Sequence, residues 1–324
     1  MAMPEGDAPL VPGLTVLVPV YFSEAGLEAL VTRLAEELPK LGRAFELLLV
    51  NDGSRDGSQA QIERLATGRP WLRWIELRRN FGQHNAILCG LRAARYDVVA
   101  TLDDDLQHPP EELPKLLERL TPDVDVVYGA PERERHGLFR DLASQLTKWA
   151  LQTSMGVQAA RDVSAFRVLR TDLRDGFASY EGPSVSLDVL LTWSTNRFTS
   201  VRVRHDERRV GTSNYTFGKL VRIAVELITG FSDRPLRLAS ILGIAFACLG
   251  ALLLVYQVGV YVVRGGAVPG FTFLASSVTL FSGVQLVALG IIGEYLGRVH
   301  MRAMRRPTYV VRRRGGGPAP EDAR

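Results

Sequence analysis

Val98-Val99-Ala100-Thr101-Leu102-Asp103-Asp104-Asp105-Leu106-Gln107-His108-Pro109-Pro110 is the stretch on which the fold turns. A short apolar, β-branched run without polar alternation marks a strand covered on both faces. The run stops at three adjacent carboxylates, and Pro110 then stands where a helix begins. A strand that ends in a polar cluster and passes into a helix is half of a βαβ unit. In such sheets ligands gather outside the carboxyl ends of the strands.

The same pattern recurs on both sides. Leu14–Val20, Phe45–Val50, Leu72–Leu77 and Val124–Tyr128 read as buried strands beside Val98–Leu102. Glu24–Leu38, Ser58–Ala66, Gln83–Ala94 and Glu111–Leu120 carry helical spacing, with Ser23, Asp56 and Pro110 at helix starts. This predicts a Rossmann-like, mostly parallel α/β domain over residues 14–213, after a flexible stretch 1–13. No Gly-x-Gly-x-x-Gly follows the first strand, which argues against a dinucleotide-dependent dehydrogenase.

Three adjacent carboxylates repel one another unless a cation neutralises them. Hard oxygen ligands at a strand end suit Mg²⁺ or Mn²⁺, ions that ordinarily also grip a substrate's phosphates. The plainer alternative is an acidic turn that caps the next helix. Two more polar clusters close strands. In Asn51-Asp52-Gly53-Ser54, Asp52 can accept hydrogen bonds from a base or ribose and Gly53 permits a tight turn. In Pro19-Val20-Tyr21-Phe22-Ser23-Glu24, an aromatic ring and a carboxylate can form one wall of a base pocket. Three such clusters at successive strand ends converge on one crevice.

The second half of the chain is of another kind. Leu238–Val263 and Phe271–Leu296 are apolar over about 26 residues each, so as helices each extends about 39 Å, enough to cross a hydrocarbon core. A pair of buried core helices is the alternative. Arg222, Arg234 and Arg237 precede the first run and Arg298, Arg302, Arg305 and Arg306 follow the second, while only Arg264 lies between. By the positive-inside bias both termini face the cytoplasm. Residues 214–235 have the spacing of an amphipathic helix on the membrane surface. Residues 236–298 then form a two-helix transmembrane hairpin and residues 299–324 a basic cytoplasmic tail, disordered from Gly315 on.

The net charge is +4, with acidic residues mainly before Asp188 and arginines crowding the second half. That asymmetry asks for an anionic partner. Because the arginines flank apolar runs, lipid headgroups are favoured over nucleic acid, which is not an expected partner. The two cysteines, Cys89 and Cys248, offer neither a disulfide framework nor zinc spacing. Met1–Pro12 is polar and proline-containing, unlike a signal peptide, so the soluble part is expected in the cytosol.

Taken together, Pro19-Val20-Tyr21 with Glu24, Asn51-Asp52-Gly53-Ser54, Arg79-Asn80-Phe81-Gly82-Gln83-His84 and Asp103 to Pro110 resemble the family 2 glycosyltransferases of GT-A fold. The closest resemblance is to the polyprenyl-phosphate glycosyltransferases: dolichyl-phosphate mannose synthases, GtrB-type glucosyltransferases and undecaprenyl-phosphate formamido-arabinose transferases. It runs from Leu14 to about Val311 and includes Gly293-Glu294-Tyr295-Leu296-Gly297-Arg298.

The resemblance implies roles at matching positions. Pro19, Tyr21, Glu24, Asp52, Asp103 and Asp104 fall in the nucleotide-sugar pocket, and Asp103, Asp105 and Gln107 at the metal. Asp104 stands where relatives have a small residue. Asp162 occupies the place of the acceptor-side aspartate, so Asp103, Asp105 and Asp162 are the catalytic candidates. Arg133, Arg140, Ser144, Arg208, Ser213 and Tyr215 match phosphate and lipid-phosphate positions, while Asn214 replaces a lysine of relatives. The implied reaction moves a sugar, UDP-glucose as first choice, from a nucleoside diphosphate to a polyprenyl phosphate. It inverts the anomeric carbon, depends on Mg²⁺ or Mn²⁺, and takes place at the inner membrane in a homo-oligomer, a tetramer in relatives. Two rivals are a processive polysaccharide synthase and a catalytically inert membrane scaffold. The first lacks its Gln-x-x-Arg-Trp, since Gln145-Leu146-Thr147-Lys148-Trp149 has lysine in the arginine's place. The intact Asp103 and Asp105 disfavour the second.

Overall fold

The computed structural model describes residues 9–131, 163–181, 186–206, 234–264, 270–304 and 306–317. These form two compact units, one built on a single sheet and one on two long helices.

The sheet unit begins with β1 (Val11–Val20), α1 (Leu27–Glu37), β2 (Phe45–Asn51), α2 (Ser58–Ala66), β3 (Leu72–Leu77), α3 (Gln83–Ala93) and β4 (Tyr96–Thr101). Next come α4 (Leu113–Arg119), β5 (Val126–Pro131), β6 (Arg167–Arg170), α5 (Leu187–Ser194) and β7 (Phe198–Val203). A last strand, β8 (Val311–Gly316), closes the unit. The strand order is β7-β5-β6-β4-β1-β2-β3-β8. Pairings β4-β1, β1-β2, β2-β3 and β5-β7 are parallel, whereas β6 and β8 run antiparallel to their neighbours. The mostly parallel α/β architecture read from the sequence is therefore present.

The strands read as continuous apolar runs because both faces are covered. On one face of β1 and β2, Val16, Val18, Leu47 and Leu49 meet Leu30 and Leu34 of α1 and Ile62 of α2, all with no solvent exposure. On the other, Leu17 reaches α3, where a Cβ at Gly90 would lie 2.1 Å from its Cδ1. The carboxyl ends of the parallel neighbours β4, β1 and β2 bring their polar residues to one rim of the sheet.

Two local expectations need correction. Ser23 does not cap α1 with its side chain: the helix starts at Leu27 with Gly26 as N-cap, and the Ser23 hydroxyl turns to Asp104 instead. The 299–324 segment is not simply a free basic tail with disorder from Gly315. Residues 311–316 are the edge strand of the sheet, with Arg313 facing Glu76 and Gly315 facing Trp74 across the ladder. Arg313 Nε donates to Glu76 Oε2 at 2.7 Å and Arg312 Nη1 lies 3.2 Å from Glu76 Oε1. The ladder also needs small residues, since a Cβ at Gly315 would fall 2.5 Å from the Trp74 ring.

The other unit consists of α6 (Arg234–Arg264) and α7 (Phe271–Ala303). Among the described residues one stretch, Ala239–Val260, is long and apolar enough to cross a membrane, and none of it is buried within the molecule. Apolar side chains of both helices stand exposed in this chain, Ile244, Val263 and Leu286 being 66%, 84% and 68% exposed. The two helices touch through Phe246 and Phe281, whose rings meet edge-on at 6.3 Å, and through Gly250, which admits the Phe281 ring. Residues 214–233, expected as a surface helix, lie outside the described residues.

Candidate active site

The rim formed by the ends of β1, β2 and β4 surrounds a cleft of about 220 Å³. It is lined by Pro19 and Val20 at the end of β1, Tyr21 just after it, Asp52 just after β2, Asn80 and Gln83 before and on α3, and Asp103, Asp104 and Asp105 after β4. Topology explains the convergence: β4, β1 and β2 are parallel neighbours, so their carboxyl ends lie side by side.

Each aspartate has a different surrounding. Asp103 accepts a hydrogen bond from Gln83 Nε2 at 2.6 Å. Burial pushes its carboxyl up to about 6, helped by the nearby charges of Asp105 and Asp104 and opposed by the Arg167 guanidinium. Asp104 accepts from the Ser23 hydroxyl and from the Tyr21 N–H at 3.3 Å. Burial also raises its carboxyl, and these two bonds oppose the shift. Asp105 folds back on its own turn, accepting from the Gln107 N–H at 3.1 Å. Between Asp105 and Gln107, Leu106 sits in the left-handed region at φ 57°, a conformation that costs a side-chain-bearing residue about 1–2 kcal/mol. Such strain is found where a loop is held for function.

Asp52 is almost fully buried. Its two oxygens accept from the N–H groups of Phe81 at 2.7 Å and Gly82 at 2.8 Å, which ties the β2 end to the start of α3. Burial raises its carboxyl against the pull of those two bonds. The tie works because Gly53, at φ 66°, lets the turn pass the Arg79 backbone, where a Cβ would lie 2.4 Å from the Arg79 carbonyl carbon.

Two expected site residues stand outside the cleft lining. Glu24 turns to the start of α2 and accepts from the Gly57 N–H at 2.9 Å. The backbone carbonyl of Gln107 accepts from the Asp206 N–H at 2.9 Å. Asp162, Arg133, Arg140, Ser144, Arg208, Ser213 and Tyr215 lie outside the described residues.

Behind the aspartates is a buried network that sequence reading missed. Arg167, 2% exposed, pairs with Asp188 and donates from Nε to Thr101 Oγ1 at 3.1 Å. Tyr128 donates to the same Asp188 oxygen at 2.9 Å, and Thr101 donates to the Ala165 carbonyl at 2.6 Å. Thr101 is the last residue of β4, so this network fixes the point from which Asp103 departs. Asp188 lies inside an apolar helical stretch and carries no motif that would have flagged it. Asn80 and Gln83 fall in a quoted motif, but nothing in the residues alone turned them into the cleft.

Among the described residues no three His, Cys, Asp or Glu side chains converge on one point as an ion cage. The donors present do fit Mg²⁺ or Mn²⁺. Such ions are held by one or two carboxylates together with substrate phosphates, and Asp103 and Asp105 supply two on one turn. Burial is the main cause of the raised Asp103 carboxyl, and the neighbouring charges of Asp105 and Asp104 add the part that a cation would offset.

Comparison with known proteins agrees with this geometry. The family model described as glycosyl transferase family 2 matches residues 15–171. An undecaprenyl-phosphate 4-deoxy-4-formamido-L-arabinose transferase of Pseudomonas paraeruginosa is 36% identical over 304 residues, 93% of this chain and 89% of its own. The transferase of the same name from Pectobacterium atrosepticum is 34% identical over 93% of both chains. A crystal structure of glucosyl-3-phosphoglycerate synthase from Mycobacterium tuberculosis, with Mn²⁺, UDP and glucosyl-3-phosphoglycerate, aligns with a TM-score of 0.48. It is 18% identical over 67% of this chain and 78% of that one, too distant to carry a functional argument. With a cleft built by the matched motifs and relatives aligned over nearly its whole length, the chain belongs to the family 2 polyprenyl-phosphate glycosyltransferases.

Proposed function

We propose that the cleft binds a nucleoside-diphosphate sugar and that the enzyme passes the sugar to undecaprenyl phosphate at the cytoplasmic face of the inner membrane. The observation that carries this reading is that Asp103 and Asp105 open onto the same cleft as Pro19, Tyr21 and Asp52. One side of that cleft suits a diphosphate and the other a base and ribose. The relatives' names favour a formamido-arabinose donor over the UDP-glucose first expected from sequence.

The acceptor phosphate is its own nucleophile. A phosphate monoester has a second pKa of about 6, so it is largely dianionic near neutral pH and needs little help from a base. One of its oxygens forms the bond to the anomeric carbon from the face opposite the leaving group. The carbon–oxygen bond to the diphosphate breaks, its electron pair leaves with the nucleoside diphosphate, and the centre inverts. Asp103 and Asp105 would hold a divalent ion, which when bound offsets the charge developing on the leaving diphosphate. Asp162 positions the acceptor. Arg133, Arg140, Ser144, Arg208, Ser213 and Tyr215 bind the two phosphate groups.

A long isoprenoid cannot leave the bilayer cheaply, because each exposed CH₂ costs about 0.8 kcal/mol. The enzyme therefore goes to the lipid, with α6 and α7 as two spans and residues 214–235 at the surface. Exposed Gly243, Gly283 and Gly290, where an added Cβ would meet nothing within 4 Å, allow close approach of further copies in a homo-oligomer. The test is to incubate membranes containing the protein with a panel of nucleotide-sugars and undecaprenyl phosphate, then weigh the lipid product. A glycosyl-phospholipid from one donor supports the reading, and free sugar alone or no product from any donor refutes it.

A further inference from the structure

The central carboxylate of the acidic cluster has work that its neighbours do not share. One oxygen of Asp104, Oδ2, accepts both the Ser23 hydroxyl and the Tyr21 N–H. It thus reaches across from the β4 end to the β1 end, 81 residues away in sequence. The segment it grips cannot hold itself. Tyr21 and Phe22 are 48% and 55% exposed, their rings touching edge-on at 4.6 Å, so little burial fixes them. Phe22 also sits in the left-handed region at φ 56°, a strained conformation for an aromatic residue. Polar tethers hold this rim in place: Phe22 N–H to Ser54 Oγ at 3.1 Å, Ser23 N–H to Ser58 Oγ at 3.0 Å, and the pair of bonds to Asp104. The Asp104 tether joins the rim to the acidic turn.

We infer that Asp104 is a positioning residue for the donor nucleotide, fixing the Tyr21–Ser23 rim against the acidic turn and leaving the divalent ion to Asp103 and Asp105. This rests on the reading of the cleft as a nucleotide-sugar site and assigns one wall of it. Its chemistry asks for an acceptor at Oδ2 and does not ask for charge. An amide oxygen in that place accepts the same two bonds, whereas a methyl group accepts neither.

The test uses the full chain in detergent. Mn²⁺ alone is titrated first, then UDP and GDP separately at saturating Mn²⁺, against the native protein, Asp104→Ala, Asp104→Asn and Ser23→Ala. Asp104→Ala is expected to weaken the nucleoside diphosphate about tenfold, the worth of one or two hydrogen bonds, with Mn²⁺ affinity unchanged. Asp104→Asn should restore the affinity, and Ser23→Ala should weaken it less and add nothing to Asp104→Ala. The inference is overturned if Asp104→Asn loses Mn²⁺ affinity, which would make Asp104 an ion ligand. It is equally overturned if Asp104→Ala binds the nucleotide as the native protein does. A native protein that binds neither UDP nor GDP sinks the nucleotide-sugar reading itself, and this inference with it.

Discussion

Asp52 and Gly82 are joined across 30 residues of sequence: the carboxylate at the end of β2 accepts the N–H of the residue that caps α3, with the Phe81 N–H on its other oxygen. Asp52 thus builds the cleft wall before it touches any ligand. Asparagine is no substitute, because its amide would turn a donor toward one of two backbone donors. Hydrogen bonds to a charged group are worth about 1.5–3 kcal/mol each, so Asp52→Asn should cost stability of that order. A lowered thermal midpoint of the solubilised protein, with weaker nucleotide binding, is expected. An unchanged midpoint would show that the tie carries no load.

Asp105→Asn would remove one charge from the proposed ion site at nearly constant size. It should cut transfer by 10²-fold or more, on the scale of losing one electrostatic stabiliser of a transition state, while membrane insertion is kept. The native enzyme should stop in EDTA and recover with Mg²⁺ or Mn²⁺. Turnover that continues in EDTA would remove the ion from the mechanism.

The acidity of Asp103 gives a pH test. Its carboxyl stands at about 6 in the folded protein against an ordinary 3.8, so between those values the ion-free folded state holds an extra proton. This group therefore makes the ion-free protein less stable as pH rises from about 4 to about 6. His108 works in the opposite sense. Burial, and secondarily His205, lowers it from 6.5 to about 4, so the stability it contributes is lost as pH falls through that window. Ion binding needs Asp103 deprotonated, so the apparent Mn²⁺ dissociation constant should rise about tenfold from pH 7.5 to pH 5. A constant that does not move with pH would contradict the placement of the ion at Asp103.

The parallel core and its acidic rim were legible because strand burial and strand-end polarity are local signals: Thr101 to Asp105 announces both in five residues. Asp188 was not, because its partners Arg167 and Tyr128 are distant in sequence and meet it only in the fold. The orientation of Glu24 toward Gly57 was equally hidden, since a carboxylate after a strand reads the same whether it faces a ligand or a helix start. The last strand escaped because Val311-Arg312-Arg313-Arg314-Gly315-Gly316 has neither apolar alternation nor β-propensity. What makes it a strand is the acidic side chain of Glu76 and the open edge of β3.

That edge can be tested by charge. Glu76 is 8% exposed at its side chain and is paired with Arg312 and Arg313, themselves 58% and 51% exposed. Replacing both arginines by alanine leaves a nearly buried carboxylate without its cations. The double variant should therefore unfold at a lower temperature than the native protein. Adding Glu76→Gln should recover most of that drop. Should the triple variant prove no more stable than the double, the pairing is not what holds β8. Ending the chain at Val310 should do more harm, exposing the β3 edge and promoting aggregation visible by light scattering.

The same strand bears on how the chain meets the membrane. β3 precedes α6 and α7 in sequence, β8 follows them, and the two strands are hydrogen-bonded neighbours in one sheet. A chain that crosses a bilayer with α6 must then cross back before residue 311, so the number of crossings is even. α7, with 33 residues, is the only described helix between α6 and β8. A hairpin of two spans meets that requirement, and the side that the link 265–270 faces is the expectation drawn from the arginines, which put it outside and both flanks in the cytoplasm. Single cysteines placed at residue 267 and at residue 317, in a chain whose Cys89 and Cys248 are replaced by serine, should separate the sides. An impermeant maleimide applied to intact cells is expected to label the first and spare the second, and to label both once the membrane is opened. Labelling of residue 317 from outside would put β8, and with it the whole sheet that pairs with it, outside the membrane, and would overturn the cytoplasmic placement read from the arginines.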